Sequence, residues 1–284
     1  MYKFPIGILM ESLKEDDLTA IKSAQKMGVK GMQMYATHGM HSPEEMNTAK
    51  RKELLDMMKS HGLCFSALCG DLGQGFWRPE RNPELIEKSK RIIDMAMELE
   101  TNIVTTHIGV VPSDENNDRY KIMQEACFEL SRYADSLNAH FAIETGPETA
   151  DVLKKFLDSL NSRGVAVNLD PANLAMVTGD DPVKAVYTLK DYIVHTHAKD
   201  GIKLLDVPTE MIYGIIEKPE DVAKLGAAFK EVPLGQGSVD FDNYLKALEE
   251  IGYKGFLTIE RECGENPKAD IETAVKFLES KIGE

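Results

Sequence analysis

The chain reads as a single (β/α)8 TIM barrel spanning residues 1–284. Three observations predict it. Eight short β-rich runs alternate with eight helical segments, an order that favours parallel strands joined by right-handed crossovers. No composition break or low-complexity segment divides the chain. Several of the strand-like runs end on a carboxylate or an imidazole, as expected where strand C-termini ring one mouth. The competing architecture, an open doubly wound sheet, gathers such residues at one switch point, whereas here they end strands all around the chain.

Residues 3–9 form the first strand. A helix over 14–27 follows, with Leu18, Ile21, Ala24 and Met27 near helical spacing and Gly28 as its stop. Residues 31–35 are the second strand. Ser42 as N-cap, Pro43 at the first helical position and the acids Glu44 and Glu45 predict a helix start there, running to about residue 60. Residues 63–68 are the third strand, followed by a Gly-rich loop over 70–78 that holds the only tryptophan, Trp77. Asn82 and Pro83 open a helix to about Leu99, and 102–107 is a strand ending on His107. A long helix spans about 115–137. The fifth strand, 140–144, ends on Glu144; Pro147 and Glu148 open the next helix, to about Leu160. The sixth strand, 165–170, ends on Asp170. Asp181 and Pro182 start a short helix, and the seventh strand, 192–197, ends on His197. The stretch 200–237 is irregular and longer than a barrel loop needs, and such loops are more often functional than linking. Residues 238–242 lead into a helix to about Glu250. The eighth strand, 253–260, ends on Glu260, and a closing helix runs over 271–282.

Composition narrows the function classes. A formal net charge of -14 argues against nucleic acid, whose binding relies on neutralising phosphates, and no convincing Lys/Arg cluster is present. No apolar run approaches the length of a membrane span. Cys64, Cys69, Cys127 and Cys263 lack CxxC spacing, which fits reduced cysteines in a cytoplasmic protein. The N-terminus shows no signal-peptide pattern. No GxGxxG follows a strand, so a nicotinamide cofactor is unsupported. A homo-oligomer is compatible with the sequence.

In a barrel, Glu144, Asp170, His197 and Glu260 would converge at one mouth. Three carboxylates and one imidazole suit one divalent ion, with Mn2+ the first choice and Mg2+, Co2+ or Zn2+ as alternatives. Without a metal, carboxylates this close would repel. Each has a structural competitor: strand-end acids often cap helices, and Asp170 before Pro171 suits a turn. His195 and His197 share one strand face, so one of them is expected to support or pack.

The segments around Glu144, 169–173, 194–200 and 257–260, with the tail 233–241, resemble the sugar-phosphate isomerase/epimerase superfamily over essentially the whole chain. That resemblance implies a xylose isomerase-like TIM barrel. It implies metal ligation by Glu144, Asp170, His197 and Glu260, with Glu144 and Glu260 as the acid/base pair. His107 matches a strand-four histidine used near substrate. Asn173 stands where epimerases and endonucleases often carry histidine, which disfavours a three-zinc nuclease. Lys199 or Lys203 would replace an arginine of the strand-seven loop. Trp77, with Phe76, could close over an apolar sugar face or pack the rim. Arg261 could hold an anionic group or form a salt bridge.

The expected chemistry is proton transfer on a small ketose, ketose phosphate or hydroxy-carbonyl compound through an enediolate. An inosose dehydratase-like lyase, a non-catalytic sugar-binding barrel and a hydrolytic metal site are the rivals.

Overall fold

The computed structural model describes residues 2–216 and 224–283. Eight parallel strands close a barrel: β1 (Ile6–Leu9), β2 (Gly31–Tyr35), β3 (Cys64–Cys69), β4 (Ile103–Thr106), β5 (His140–Glu144), β6 (Val165–Leu169), β7 (Ile193–Ala198) and β10 (Leu257–Ile259). Two further strands, β8 (Asp200–Lys203) and β9 (Phe229–Val232), pair antiparallel outside it. The barrel strands are short and buried on both faces, so they read as continuous apolar runs. Barrel and helices share one core, with Phe141, Phe156, Ile8 and Tyr244 among its fully buried side chains.

The main helices are α1 (Asp17–Met27), α2 (Thr48–Ser60), α3 (Asn82–Glu98), α4 (Asp118–Leu137), α5 (Ala150–Leu160), α6 (Pro171–Asn173), α7 (Pro182–Thr188), α8 (Thr209–Ile212), α9 (Phe241–Glu250) and α10 (Pro267–Ile282). Several begin elsewhere than the sequence suggests. A 3-10 turn, Met10–Leu13, ends at Lys14 in the left-handed region, and α1 starts only where Asp16 accepts the Thr19 N–H. The Ser42 segment makes a turn instead of a helix. The Arg51 guanidinium takes the carbonyls of Pro43 and Met46, and Asn47 caps α2 by accepting the Lys50 N–H. Asn117 caps α4, which therefore begins after residue 115. Glu148 does not open α5: its carboxylate accepts the Val111 N–H at 3.0 Å, across to the loop after β4. Asn266 caps α10 at Pro267, earlier than residue 271.

The expected irregular stretch 200–237 is largely ordered, with residues 217–223 of it outside the described residues. Its base is the β8–β9 hairpin, in which Asp200 faces Val232. The Asp200 carboxylate accepts the backbone N–H groups of Gly201, Gly235, Gly237 and Val239 at 2.8–3.2 Å. A side chain at Gly237 would collide with that carboxylate, so the close approach requires glycine. This staple holds the strand-seven excursion against the barrel mouth.

Candidate metal centre

Glu144 ends β5, Asp170 follows β6, His197 lies near the end of β7 and Glu260 follows β10. One ligand atom from each lies within 4.8 Å of all the others, and all four residues are buried. His197 Nδ1 stands 3.6 Å from Glu144 Oε1, 3.5 Å from Asp170 Oδ2 and 3.4 Å from Glu260 Oε2. The geometry of Asp170 is compatible with both roles open to it. Its Oδ1 caps α6 by accepting the Asn173 N–H at 2.9 Å, and its buried Oδ2 has no hydrogen-bond partner among the described residues. A buried carboxylate oxygen without a donor, facing two more carboxylates and an imidazole nitrogen, fits a divalent cation. The residues present therefore suit one metal ion.

The support of this cluster comes from one layer deeper in the barrel. Strand side chains alternate, so the residue two before each ligand shares its face. Those positions are Ala142, Asn168, His195 and Thr258, and the three polar ones form a chain. Ser66 Oγ meets Thr258 Oγ1 at 3.2 Å, and Thr258 Oγ1 meets His195 Nε2 at 2.9 Å. His195 Nδ1 meets Asn168 Oδ1 at 2.8 Å, and Asn168 Nδ2 donates to Glu144 Oε2 at 3.2 Å. Burial, reinforced by neighbouring His197, holds the His195 imidazole well below its usual pKa. His195 is thus a neutral supporting residue with both ring nitrogens engaged. His197 Nε2 meets Gln33 Oε1 at 3.0 Å, while Gln33 Nε2 donates to Thr105 Oγ1 at 3.0 Å. Gln33 Oε1 thereby accepts the proton on His197 Nε2, and Nδ1 is the ring nitrogen that faces the carboxylates.

The electrostatics are dominated by a buried cation. Lys199 Nζ donates to Glu260 Oε2 at 2.8 Å and to Glu262 Oε2 at 2.6 Å. Burial disfavours the charge on each partner, but their mutual attraction prevails. The Lys199 ammonium is held well above its usual pKa and the Glu260 carboxyl well below its own. Burial would also lower the His197 pKa, yet the Glu260 and Glu144 carboxylates raise it well above the ordinary value. Glu144 receives a second amide donor, Asn173 Nδ2, at 2.9 Å.

Of these groups Glu144, Asn173, Lys199, Glu260 and Glu262 line a cavity of about 220 Å³ that also takes in Tyr35, Asp71 and Tyr213, while His197 and Asp170 lie behind its wall. His107 reaches it from the end of β4, with Nδ1 3.1 Å from Asp71 Oδ2 and Nε2 3.8 Å from Glu144 Oε1. Its ring packs 5.6 Å from that of Tyr213. Burial opposes its charge, but Glu144 and Asp71 raise its pKa to about 9. A larger open cleft, about 670 Å³, lies between Ala36, Met40, Pro43 and Ile92 and contains none of the converging ligands.

Two expected substrate contacts sit elsewhere. Arg261 does not line the cavity. Its guanidinium is committed to Glu231 and Asp270, so a nearby ion pair consumes the charge expected for a substrate anion. Trp77 lies in an adjoining chamber instead of over the ligand cluster. Gln33, Asn168, Asp71, Tyr213 and Glu262 were not picked out by the sequence reading. Strand periodicity alone could have found Asn168; Tyr213 and Asp71 come from loops whose placement only the fold decides.

Glu148, buried near this site, gives a pH prediction. Burial raises its carboxyl from 4.5 to about 8 despite the Val111 N–H. The folded state therefore favours the protonated form. That contribution to stability is fully present below about pH 4.5 and is lost as pH rises through about 8. Glu148→Gln, neutral throughout, should gain on the wild type by on the order of 3 kcal/mol between pH 5 and 9. Urea midpoints at the two pH values measure it; a constant difference between the two proteins would refute the assignment.

A closed eight-stranded parallel barrel with a buried three-carboxylate, one-imidazole cluster at its mouth defines a barrel scaffold with a candidate divalent-metal site. Residues 21–281 match the xylose isomerase-like TIM barrel family, and the chain belongs to it. An inosose dehydratase of Clostridium beijerinckii is 24% identical over 59% of this chain and 56% of its own length. The chain thus spans only about half the length of the dehydratases it matches. A Haemophilus influenzae protein provisionally named as the L-ribulose-5-phosphate 3-epimerase SgbU is 24% identical over 98% of this chain and 96% of its own. Among solved structures, a xylose isomerase domain protein from Planctomyces limnophilus is 25% identical with a TM-score of 0.79, covering 98% of this chain and 96% of that one. The D-psicose 3-epimerase of Clostridium cellulolyticum H10, solved with D-tagatose, shares the fold with a TM-score of 0.72 at 15% identity, over 98% of this chain and 99% of that one. No helix among the described residues is long and apolar enough to cross a membrane.

Proposed function

We propose that this chain is a metal-dependent isomerase or epimerase of a small ketose, ketose phosphate or related hydroxy-carbonyl compound. The observation that carries this reading is the convergence of Glu144, Asp170, His197 and Glu260 within 4.8 Å, with two glutamates among the four. Those residues would hold one divalent ion, with Mn2+ as the first choice. When bound, the ion supplies Lewis-acid stabilisation of negative charge on substrate oxygens.

The protein's own groups divide the remaining work. Glu144 and Glu260 are the proton-transfer pair: one takes the proton from carbon beside the carbonyl and the other returns one to the enediolate. Return on the opposite face gives epimerisation, and return to the neighbouring carbon gives isomerisation. Lys199 keeps Glu260 ionised at neutral pH, the state in which it can act as a base. Asn168 and Asn173 fix both oxygens of Glu144, which sets the direction from which it meets substrate. His107, held by Asp71, directs its unpartnered Nε2 toward the same space and can hydrogen-bond a substrate oxygen. The four cysteines are free, in keeping with a cytoplasmic setting.

A dehydratase is the second reading. It needs an acid to protonate a departing β-hydroxyl, and the His107–Asp71 pair is placed to supply one. Both readings share the same first proton abstraction.

Solvent-deuterium incorporation, followed by NMR over ketoses, ketose phosphates, hydroxypyruvate and inososes, tests the proposal. Metal-dependent exchange is expected, and the labelled carbon separates epimerase, isomerase and dehydratase. Absence of exchange with every compound, despite bound metal, would overturn it.

A further inference from the structure

The cavity at the ligand cluster does not end at His107. A second chamber of about 320 Å³ adjoins it and shares Asp71, His107 and Tyr213 as a common wall. Its far side is built by the Gly-rich loop after β3, with Trp77 and Arg78, and by Gly109 and Gly214. Glycine at 109 is required twice over. Its φ is +97°, and a Cβ there would press the Trp77 ring at 3.2 Å.

Arg78 lines this chamber. The chain carries 47 acids against 33 Lys and Arg, yet Arg78 forms no ion pair among the described residues. Its Nε is buried and has no hydrogen-bond partner among the described residues. Its guanidinium lies 4.5 Å from the centre of the Trp77 ring, which holds it in place without neutralising it. The one acid lining the chamber among the described residues, Asp71, is spent on His107 at 3.1 Å and on the Gly73 N–H at 2.8 Å. A buried donor left unsatisfied beside a cavity is costly unless a ligand completes it.

We propose that this chamber binds an anionic substituent of the substrate, a phosphate ester or a carboxylate, on the Arg78 guanidinium. The reacting end would then lie at Glu144 and Glu260, with His107 and Tyr213 flanking the passage between. The inference rests on the proposed function for the identity of the reacting end, but the anion site itself can be tested apart from turnover.

Trp77, the only tryptophan, stacks on Arg78 and lines the chamber, so its fluorescence reports the site directly. The full-length protein, with Mn2+ and separately with chelator, is titrated with inorganic phosphate, malonate, a ketose phosphate and the matching neutral ketose. Saturable quenching by phosphate or malonate is expected with and without metal. It should weaken about 10- to 100-fold in Arg78→Met and be partly kept in Arg78→Lys. A preference for phosphate assigns a phosphate ester, and a preference for malonate assigns a carboxylate. Equal affinity in wild type and Arg78→Met, or no saturable response to either anion, would overturn the site. Anion binding that persists where no compound exchanges deuterium would refute the proposed chemistry and leave the anion site standing.

Discussion

Glu260→Gln is expected to lower deuterium exchange by about 10³-fold, the scale of a removed general acid or base. The amide keeps the size and planar shape of the carboxylate but cannot take up a proton. Its position follows β10 at the barrel mouth, and Lys199 keeps a second close acceptor, Glu262 at 2.6 Å, once the charge at 260 is gone. The buried ammonium is therefore not stranded, and the far-UV spectrum and thermal midpoint should change little. Glu144→Gln should cost a similar factor, because its two amide donors hold a carboxylate whose proton acceptance is lost. Measured together, the two variants separate the directions: the epimer or isomer that still washes out label identifies which glutamate serves which face. Retention of more than a tenth of wild-type exchange in Glu260→Gln would remove that residue from the chemistry.

Metal affinity is the second large effect. His197→Ala should weaken divalent-ion binding by about 100-fold or more, since it deletes the only imidazole of a four-residue set. Saturating Mn2+ should raise the thermal midpoint of the wild type, because an ion at 100 times its Kd stabilises by about 2.7 kcal/mol. That increment should nearly vanish in His197→Ala. Chelation of the wild type should reverse it. His195 is no substitute, as Thr258 and Asn168 occupy both its nitrogens. Unchanged metal content in His197→Ala would shift ligation to His107, whose Nε2 lies 3.8 Å from Glu144.

Much of this architecture is legible in the chain because short-range chemistry decides it. Buried parallel strands need apolar runs, and the runs ending at Glu144 and Asp170 stand out between capped helices. The ends of helices were less legible. Pro43 and the acids after it satisfy every local rule for a helix start, yet Arg51, one turn into α2, captures the carbonyls that such a helix would have used. Glu148 likewise looks like a first-turn acid but leaves for the Val111 N–H of another loop. Val111 lies 37 positions from Glu148, so no local pattern records that partner, whereas Arg51 lies only five and eight positions from the carbonyls it takes and competes with the helix start locally.

The sequence by itself determined the barrel, because the alternation of apolar runs with helices leaves few ways to bury both faces of the sheet. It also determined that Glu144, Asp170, His197 and Glu260 share one mouth, because strand polarity carries every C-terminal end to the same side. Only the tertiary structure decided what those four side chains touch. The pairing of Gln33 with His197 spans 164 positions, and that of Thr258 with His195 spans 63. It also decided that Arg261 is neutralised by Glu231 and Asp270, while Arg78 has no ion-pair partner among the described residues. Charge-pair partners are set by distances across the closed barrel and its long strand-seven excursion, and these depend on packing rather than on neighbours in the chain.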